Sequence, residues 1–194
     1  MRQRYGLPAR YGLYLGGFDP RKNLPTLIAA WRTVHAITGL PLVVAGEPRF
    51  GSLLPWETAD RTAARVGLPS AAIVPIGAVK KEDLPALYRL ATVFAYPSRF
   101  EGFGLPPLEA MACGVPVVAS DATSLPEVVG DAGILVPPDA VARWSEELVR
   151  VIEDPVLAAR LSAAGPARAA GFTWARTAQR TRAVYESLIG QGGD

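Results

Sequence analysis

The sequence has almost none of the cysteine and histidine residues that form disulfides and zinc sites. Cys113 is its one cysteine and His35 its one histidine among 194 residues. A lone cysteine cannot form an internal disulfide, and the two residues together cannot supply the four Cys and His ligands of a zinc site. Cysteine-rich secreted scaffolds and zinc modules are therefore excluded.

Long apolar runs and a strong net charge are also missing. No apolar run approaches the roughly 18 residues of a membrane-spanning helix, and no apolar segment follows the basic opening MRQRYGLPAR as a signal peptide requires. The 20 Lys and Arg against 18 Asp and Glu leave a net charge of +2, without the basic excess of a nucleic-acid-binding domain. We therefore expect a soluble, cytoplasmic protein with no nucleic-acid partner.

Three common catalytic signatures do not occur either. The sequence contains no P-loop, no G-x-S-x-G elbow and no D-x-D pair that holds a divalent metal on a diphosphate. We expect neither a metal nor a resident cofactor. Cationic side chains and helix starts would then have to neutralise any bound diphosphate.

What is present indicates one globular α/β domain. At roughly 150 residues per domain, 194 residues with 49% hydrophobic composition suffice for one core. Short runs rich in Val, Ile and aromatic residues alternate with segments of helical spacing, and the runs are apolar on both faces. This pattern predicts a doubly wound parallel sheet of about six strands, covered on both sides by helices and followed by a helical C-terminal segment.

The predicted elements occupy the following ranges. Strands are expected at 11–16, 40–46, 72–75, 92–97, 115–120 and 133–136, and helices at 24–38, 55–66, 81–90, 106–113, 140–153, 155–164 and 173–189. Ligands of such sheets bind at the carboxyl ends of the strands. The loops after the first and fourth strands are therefore the first places to look for a site.

The loop after the first strand has the composition of an anion site. Gly16 and Gly17 allow a ligand or a neighbouring backbone to approach closely. Arg21 and Lys22 then stand just before a helix, although helix starts favour acids because their free N–H groups carry partial positive charge. A bound phosphate would resolve this conflict. The alternative is a solvated basic turn balanced by Asp19.

The loop after the fourth strand places two carboxylates around a glycine-rich turn. Glu101 precedes the turn and Glu109 lies in the following helix. Between them stand Gly102, Phe103, Gly104 and Leu105. A carboxylate accepts two hydrogen bonds in a fork that matches vicinal hydroxyls, so two of them beside a phosphate site suggest a nucleotide sugar. Alternatively, Glu109 only complements the helix dipole and Glu101 is a surface turn residue.

Other positions carry weaker signals. Val79, in the turn before the next helix, supplies an apolar wall for a base or belongs to an ordinary turn, and Glu47 and Arg49 stay undecided. Asn23 and Ser124 are predicted as helix caps. His35 lies on the apolar side of its helix and is interpreted as a packed or half-exposed histidine. The G-x-G at Gly102 lacks the third glycine of a dinucleotide fingerprint.

Two long segments carry a family resemblance. LYLGGFDPRKNLPTLIAAW and GAVKKEDLPALYRLATVFAYPSRFEGFGLPPLEAMACGVPVVASDATSLPEVVGDAGILVPP resemble the C-terminal, donor-binding half of the group 1 retaining glycosyltransferases of GT-B fold. The resemblance extends from about Tyr5 to Leu188. It implies transfer of a hexose from a nucleotide diphosphate sugar to a hydroxyl acceptor, in relatives that often build surface polysaccharides or glycolipids.

The resemblance also implies roles for individual residues. Glu101 would contact the donor hexose, Glu109 would hold the ribose hydroxyls, and Lys22 would neutralise the phosphates, so that Lys22 and Glu101 are the expected catalytic pair. The backbone amides that bind sugar and diphosphate would come from Phe103, Gly104 and Leu105. Where relatives often carry a second phosphate-binding arginine this chain has Gly17, and whether Arg21 compensates stays open.

A further implication concerns domain organisation. The resemblance divides the chain into a linker remnant (1–10), a nucleotide-sugar-binding domain with its C-terminal helices (11–190) and a tail (191–194). It leaves out the N-terminal acceptor-binding domain, so we expect this half to be inactive alone. Any peripheral contact with the inner face of the membrane would belong to that missing half. The last helix would then expose its apolar face, which carries Trp174, Ala178, Thr181, Tyr185 and Leu188.

The donor and the reaction leave several possibilities open. GDP-mannose is the favoured donor, followed by UDP-glucose and UDP-N-acetylglucosamine. A non-catalytic nucleotide-sugar-binding or regulatory module is the main alternative function, and a GT-B-type epimerase or phosphorylase comes next. An NAD-dependent dehydrogenase is disfavoured, because the glycine pattern is incomplete and no acidic residue falls where the ribose would need it.

Overall fold

A computed structural model describes residues 1–46 and 59–190. It contains one parallel six-stranded sheet in the order β3-β2-β1-β4-β5-β6. The strands are β1 (Gly12–Leu15), β2 (Leu42–Ala45), β3 (Ile73–Gly77), β4 (Val93–Tyr96), β5 (Val117–Ser120) and β6 (Ile134–Val136). Each predicted apolar run contributes one strand, so the doubly wound α/β fold is confirmed.

The helices follow the predicted alternation. They are α1 (Arg2–Tyr5), α2 (Leu24–Thr38), α3 (Ala59–Arg65), α4 (Leu84–Leu90), α5 (Leu105–Ala112), α6 (Leu125–Val129), α7 (Val141–Glu153), α8 (Pro155–Ala169) and α9 (Trp174–Gly190). Short 3-10 turns lie at Pro20–Lys22, Ser70–Ala72, Lys81–Asp83 and Gly130–Ala132. The first four residues of the helix predicted at 55–66 lie outside the described residues.

Helix α8 is longer than the sequence predicts. The sequence predicts that it ends at Ala164, and Pro166 disfavours a longer helix because proline lacks the N–H that continues one. Instead α8 continues to Ala169. A Cβ on Gly165 would lie 2.8 Å from the carbonyl oxygen of Met111 in α5, so the two helices approach very closely at this point. Tertiary packing against α5 therefore outweighs the local cost of the proline.

The core consists of two layers, one on each face of the sheet. Because successive strand side chains point to opposite faces, β1 contributes Tyr14 to one layer and Leu13 to the other. The first layer contains the fully buried Trp31 of α2 and Trp144 of α7, and α4, α5 and α6 cover the second. This double coverage explains why the strands are apolar on both faces.

The sheet has its topological switch point between β1 and β4. From β1 the chain proceeds outward to β2 and β3, whereas β4 leads outward in the other direction to β5 and β6. The two central strands pair over Gly12 with Val93 and Leu13 with Phe94, near their amino ends. In open α/β sheets such a reversal leaves a crevice at the carboxyl ends, where ligands bind.

The two ends of the chain differ in how much they contact the rest of the domain. Residues 1–10, expected as a linker remnant, include α1, whose Tyr5 and Arg4 both contact the Asp83 carboxylate at 2.8 Å. Helix α9 instead exposes most of its apolar side chains. Among them are Trp174, Val184, Tyr185, Leu188 and Ile189. The predicted exposure of this helix is therefore confirmed. In the part of the chain that the structure describes, no helix has the length and apolarity to cross a membrane.

Candidate functional site

The two loops singled out from the sequence are joined at the switch point. We call them the β1 loop (residues 16–23) and the β4 loop (residues 97–104). The carbonyl oxygen of Arg21 accepts hydrogen bonds from the backbone N–H of Arg99 at 2.7 Å and from the Ser98 hydroxyl at 3.1 Å. The two loops therefore form one continuous surface at the carboxyl ends of β1 and β4.

Asn23 holds this surface together in a way that the sequence did not predict. It occupies the N-cap position of α2, as predicted, but its side chain makes no capping hydrogen bond to the helix backbone. Its backbone is left-handed (φ 56°), and its buried amide donates to the carbonyl oxygens of Pro97 at 3.1 Å and Pro138 at 2.7 Å. Carbonyl groups at buried strand ends need such donors. Asn23 thus fixes the β1 loop against the ends of β4 and β6.

Lys22 and Glu101 meet at the centre of the site. The Lys22 Nζ lies 2.6 Å from Glu101 Oε1 and 2.8 Å from the hydroxyl oxygen of Tyr96. The Tyr96 hydroxyl also donates to Glu101 Oε1 at 2.8 Å, which closes a triangle. The Lys22 and Glu101 side chains are only 17% and 11% exposed. Lys22, the cation expected to bind phosphate, therefore contacts Glu101, the carboxylate expected to bind the sugar.

Opposing influences act on the Glu101 carboxyl. Burial raises its pKa, but the hydrogen bonds from Lys22 and Tyr96 and the positive charge of Lys22 together hold it below the ordinary value of 4.5. The charged form is thus the one that the folded structure favours. Burial, the Glu101 charge and the hydrogen bond to Glu101 raise the pKa of Tyr96, so its hydroxyl remains a donor at neutral pH.

This shift predicts a specific acid sensitivity. Because the folded-state pKa of Glu101 lies below the unfolded value, the ion pair stabilises the fold above about pH 4.5 and loses this effect as the pH falls through the folded pKa. We expect Glu101→Gln to lose less stability than the parent chain between pH 7 and pH 3, as measured by urea unfolding. Glu82→Gln, at an exposed turn position, is the control and should follow the parent. Equal acid losses in parent and Glu101→Gln would contradict this interpretation.

Glu109 has a different partner. It is exposed on α5, and its Oε2 accepts a hydrogen bond from the buried Tyr88 hydroxyl of α4 at 2.9 Å. Burial together with the negative charge of Glu109 raises the pKa of Tyr88, so this phenol is a donor at neutral pH. The carboxylate is thereby held by one oxygen at the edge of the site.

The glycine turn of the β4 loop offers an open backbone. A Cβ on Gly102 would meet no atom within 4 Å, and the neighbouring Phe103 and Leu105 side chains are exposed. Gly104 has a φ of 110°, and a Cβ there would lie 2.7 Å from a methyl group of Leu125. Glycine is therefore required at 104, whereas at 102 it leaves free space in front of the α5 start.

Thr123 and Ser124 support this turn from the loop after β5. The Thr123 hydroxyl accepts from the Glu101 N–H at 3.0 Å, and the Ser124 hydroxyl donates to the carbonyl oxygens of Glu101 at 3.0 Å and Phe103 at 2.8 Å. Ser124 occupies the N-cap position of α6, as predicted, but its side chain makes no capping hydrogen bond to that helix. Its hydroxyl serves the candidate site instead of its own helix.

The remaining candidates of the β1 loop take separate positions. Arg21 is exposed and pairs with Asp19 at 3.2 Å, as the alternative interpretation of this loop holds. In this loop it is therefore the Lys22 side chain, rather than that of Arg21, that forms an ion pair with the β4 loop.

The two glycines of the β1 loop lie against Tyr14. The carbonyl oxygen of Gly17 accepts a hydrogen bond from the Tyr14 hydroxyl at 2.8 Å, and a Cβ on Gly16 would lie 2.8 Å from the same hydroxyl.

A small cavity adjoins Gly16 at the ends of β1 and β2. Its volume is about 280 Å³. The lining consists of Leu15, Gly16, Ala45, Gly46, Ala78, Val79 and Leu84. Val79 and the first-strand glycine Gly16 thus line the same cavity. Glu47 and Arg49 lie outside the described residues.

The single histidine is placed as expected. His35 is half-buried, and its Nδ1 lies 3.1 Å from the carbonyl oxygen of Leu40, away from the two loops. Within residues 1–46 and 59–190, no three His, Cys, Asp or Glu side chains gather closely enough to hold a metal ion.

Comparison with known proteins identifies the family. The model of the family "Glycosyl transferases group 1" matches residues 9–154. The chain belongs to the group 1 glycosyltransferases. This confirms the resemblance that the motifs suggested.

Individual group 1 and related proteins agree with the assignment. O-antigen chain mannosyltransferase B of Escherichia coli is 40% identical over 189 residues, which cover 96% of this chain and 48% of that protein. The C-terminal domain of the group 1 protein LpcC from Francisella tularensis aligns over 88% of this chain and 91% of that structure, with 27% identity and a TM-score of 0.75. Anabaena HepE in complex with UDP and glucose aligns with 25% identity and a TM-score of 0.80 over 96% of this chain and 51% of that one.

The alignments also show how much of each relative this chain covers. The chain spans about half the length of the curated mannosyltransferase and about half of the HepE chain. Its sheet and helices match the Rossmann-like half of a GT-B fold, as the sequence predicted.

Proposed function

We propose that this chain is the donor-binding half of a retaining glycosyltransferase, which transfers a hexose from a nucleotide diphosphate sugar to a hydroxyl acceptor. The observation that carries the proposal is the contact between Lys22 and Glu101 at the switch point. A cation suited to phosphate and a carboxylate suited to sugar hydroxyls lie side by side where α/β sheets bind their ligands. Family membership supports the same reaction class.

Each group then has a defined task. Lys22 stabilises the negative charge that develops on the leaving diphosphate, helped by the backbone amides of Phe103, Gly104 and Leu105 at the start of α5. Glu101 accepts hydrogen bonds from the hexose, and Glu109 from the ribose. The base lies in the cavity beside Val79. The leaving phosphate itself accepts the proton of the acceptor hydroxyl, on the face of the sugar that it leaves, so no separate base and no metal are required.

Lys22 changes partner when the donor arrives. Without ligand its ammonium group is neutralised by Glu101 at 2.6 Å. A diphosphate offers more negative charge than one carboxylate and draws the ammonium toward it. Glu101 is then released to accept hydrogen bonds from the sugar.

The proposed donor is GDP-mannose, with a UDP-hexose as the alternative. The similarity to an O-antigen chain mannosyltransferase supports mannose and a role in polysaccharide biosynthesis, whereas the HepE complex with UDP supports the uridine nucleotide. The acceptor would bind an N-terminal domain outside this chain, which would also make any contact with the cytoplasmic face of a membrane. We therefore propose that transfer needs both halves.

The first test is nucleotide binding in the absence of metal. We expect either GDP or UDP to raise the free energy of unfolding of this chain, by about 2.7 kcal/mol at a concentration of 100 times the dissociation constant. Glu109→Ala should lose most of this stabilisation, because it removes the acceptor of the ribose hydroxyls. Melting temperatures with each nucleotide measure the effect.

Glu153→Ala is the control for this test. Glu153 is an exposed carboxylate at the last residue of α7, the helix that packs on α2. This variant should respond to nucleotide like the parent. If neither nucleotide stabilises the parent, or if Glu109→Ala responds as the parent does, the proposed donor site is wrong.

A further inference from the structure

Two buried tyrosines each hold one of the two candidate carboxylates. Tyr88 donates to Glu109 Oε2 at 2.9 Å, and Tyr96 donates to Glu101 Oε1 at 2.8 Å. Tyr88 is 1% exposed and Tyr96 is fully buried, so both rings belong to the core. Their hydroxyls nevertheless point toward the candidate site, where each meets an acidic side chain.

Phe94 connects the two tyrosines into one aromatic row. Its ring packs edge-on against Tyr88 with centroids 5.4 Å apart, and stacks on Tyr96 at 5.8 Å. Such contacts fix the planes of neighbouring rings. Because all three rings are buried, the Tyr88 hydroxyl has a fixed position from which to meet Glu109.

The hydrogen bond matters most at Glu109. Glu101 has a second partner in Lys22, whereas Glu109 is exposed, and among residues 1–46 and 59–190 Tyr88 is the side chain that donates to it. A free glutamate on a helix surface samples several rotamers, and ordering it on binding lowers affinity. The bond to Oε2 fixes the carboxylate beforehand and leaves Oε1 available to a ligand.

We propose that Tyr88 is a positioning residue for nucleotide binding. Its hydroxyl orients Glu109 so that the carboxylate meets the vicinal hydroxyls of the ribose in a nucleoside diphosphate. The inference rests on the proposed function, because it places Glu109 against the ribose. It adds that affinity depends on a buried residue that does not touch the ligand.

A double-mutant cycle tests this role. GDP and UDP are titrated calorimetrically into the parent chain, Tyr88→Phe, Glu109→Ala and the double variant. We expect Tyr88→Phe to weaken the binding of the preferred nucleotide about fivefold, because the Glu109 side chain must then be ordered on binding. With Glu109 already replaced, Tyr88→Phe should have no further effect, because the two residues act through one interaction.

The 2′-deoxy forms of the nucleotides separate positioning from general stability. The parent should prefer the ribonucleotide, and Tyr88→Phe should reduce that preference. The matched control is Tyr11→Phe, since Tyr11 is also buried and donates its hydroxyl to the carbonyl oxygen of Leu87 in α4 at 2.7 Å. Tyr11→Phe also removes a tyrosine hydroxyl next to α4, and it should leave the affinities for the ribonucleotide and for its 2′-deoxy form unchanged.

The possible failures are distinguishable. If Glu109→Ala weakens binding but Tyr88→Phe does not, or weakens it equally with and without Glu109, the positioning role is wrong and the donor site stands. If Glu109→Ala leaves affinity unchanged, or if the parent binds neither nucleotide, the assignment of Glu109 to the ribose fails and the positioning role fails with it.

Discussion

Gly46→Ala should lower the free energy of unfolding by about 3 to 5 kcal/mol and remove nucleotide binding, because it combines backbone strain with overpacking. Gly46 has a φ of 131°, and a Cβ there would lie 1.9 Å from the carbonyl oxygen of Gly16. The backbone has little room to move, since Gly46 N–H donates to Gly77 at 2.8 Å and Gly16 N–H to Ala45 at 3.0 Å. Urea unfolding and calorimetric titration measure the two effects.

Gly39→Ala separates strain from the close approach. Gly39 also has a left-handed backbone, with a φ of 66°, but a Cβ there meets nothing within 4 Å. We expect this control to cost only about 1 to 2 kcal/mol and to bind nucleotide normally. If both variants lose the same stability, the close contact between the β1 loop and Gly46 does not constrain the site.

Lys22→Ala should weaken binding of the preferred nucleoside diphosphate about 10-fold to 100-fold, which corresponds to the loss of a hydrogen bond to a charged group. The ammonium group contacts Glu101 of the β4 loop at 2.6 Å and Tyr96 at the end of β4 at 2.8 Å. Its removal takes positive charge from the position proposed for the diphosphate. Calorimetric titration with GDP and UDP gives the change.

Two comparisons make the Lys22 result specific to phosphate. Guanosine and uridine lack the diphosphate, so their weaker binding should be the same in Lys22→Ala and in the parent. Lys81→Ala removes an exposed lysine in the turn before α4 and should leave nucleotide affinity intact. Parent-like affinity for the diphosphates in Lys22→Ala would mean that the phosphates bind elsewhere.

The layer structure could be predicted because it depends on short-range patterns. Runs such as residues 92–97 are apolar on both faces, and this occurs where helices cover a sheet on both sides. Helix α8 shows the limit of the same reasoning, since Pro166 locally disfavours the last turns of the helix and yet α8 continues past it. Packing of Gly165 against Met111 reversed the outcome, and no local pattern contains that contact.

The candidate site could be predicted in its residues but not in its contacts. Lys22 and Glu101 stood out as unusual residues in two loops, yet their ion pair depends on β1 and β4 being neighbours in the sheet. Asn23 and Ser124 were interpreted as caps because short polar side chains most often bond nearby backbone. Carbonyl groups of the β4 loop and of the strand ends took those hydrogen bonds instead.

The hydrogen bonds from Tyr88 and Tyr96 to the two glutamates were not predicted from the sequence. In a hydrophobic pattern, Tyr88 and Tyr96 count simply as core residues. A tyrosine at a fully buried position still needs a partner for its hydroxyl. Tyr96 stands five residues before Glu101, and this proximity was the available signal. Tyr88 stands 21 residues before Glu109, so its contact depends on the packing of α4 beside α5.

The short pairing between β1 and β4 also bears on the order of folding. These strands meet over two residue pairs, and about 80 residues separate them in the chain. Strands β1 to β3 and strands β4 to β6 are each connected by shorter crossovers, so each half closes smaller loops than the central seam does. We expect the seam to form late, which makes the contact between Lys22 and Glu101 one of the last to form in the molecule.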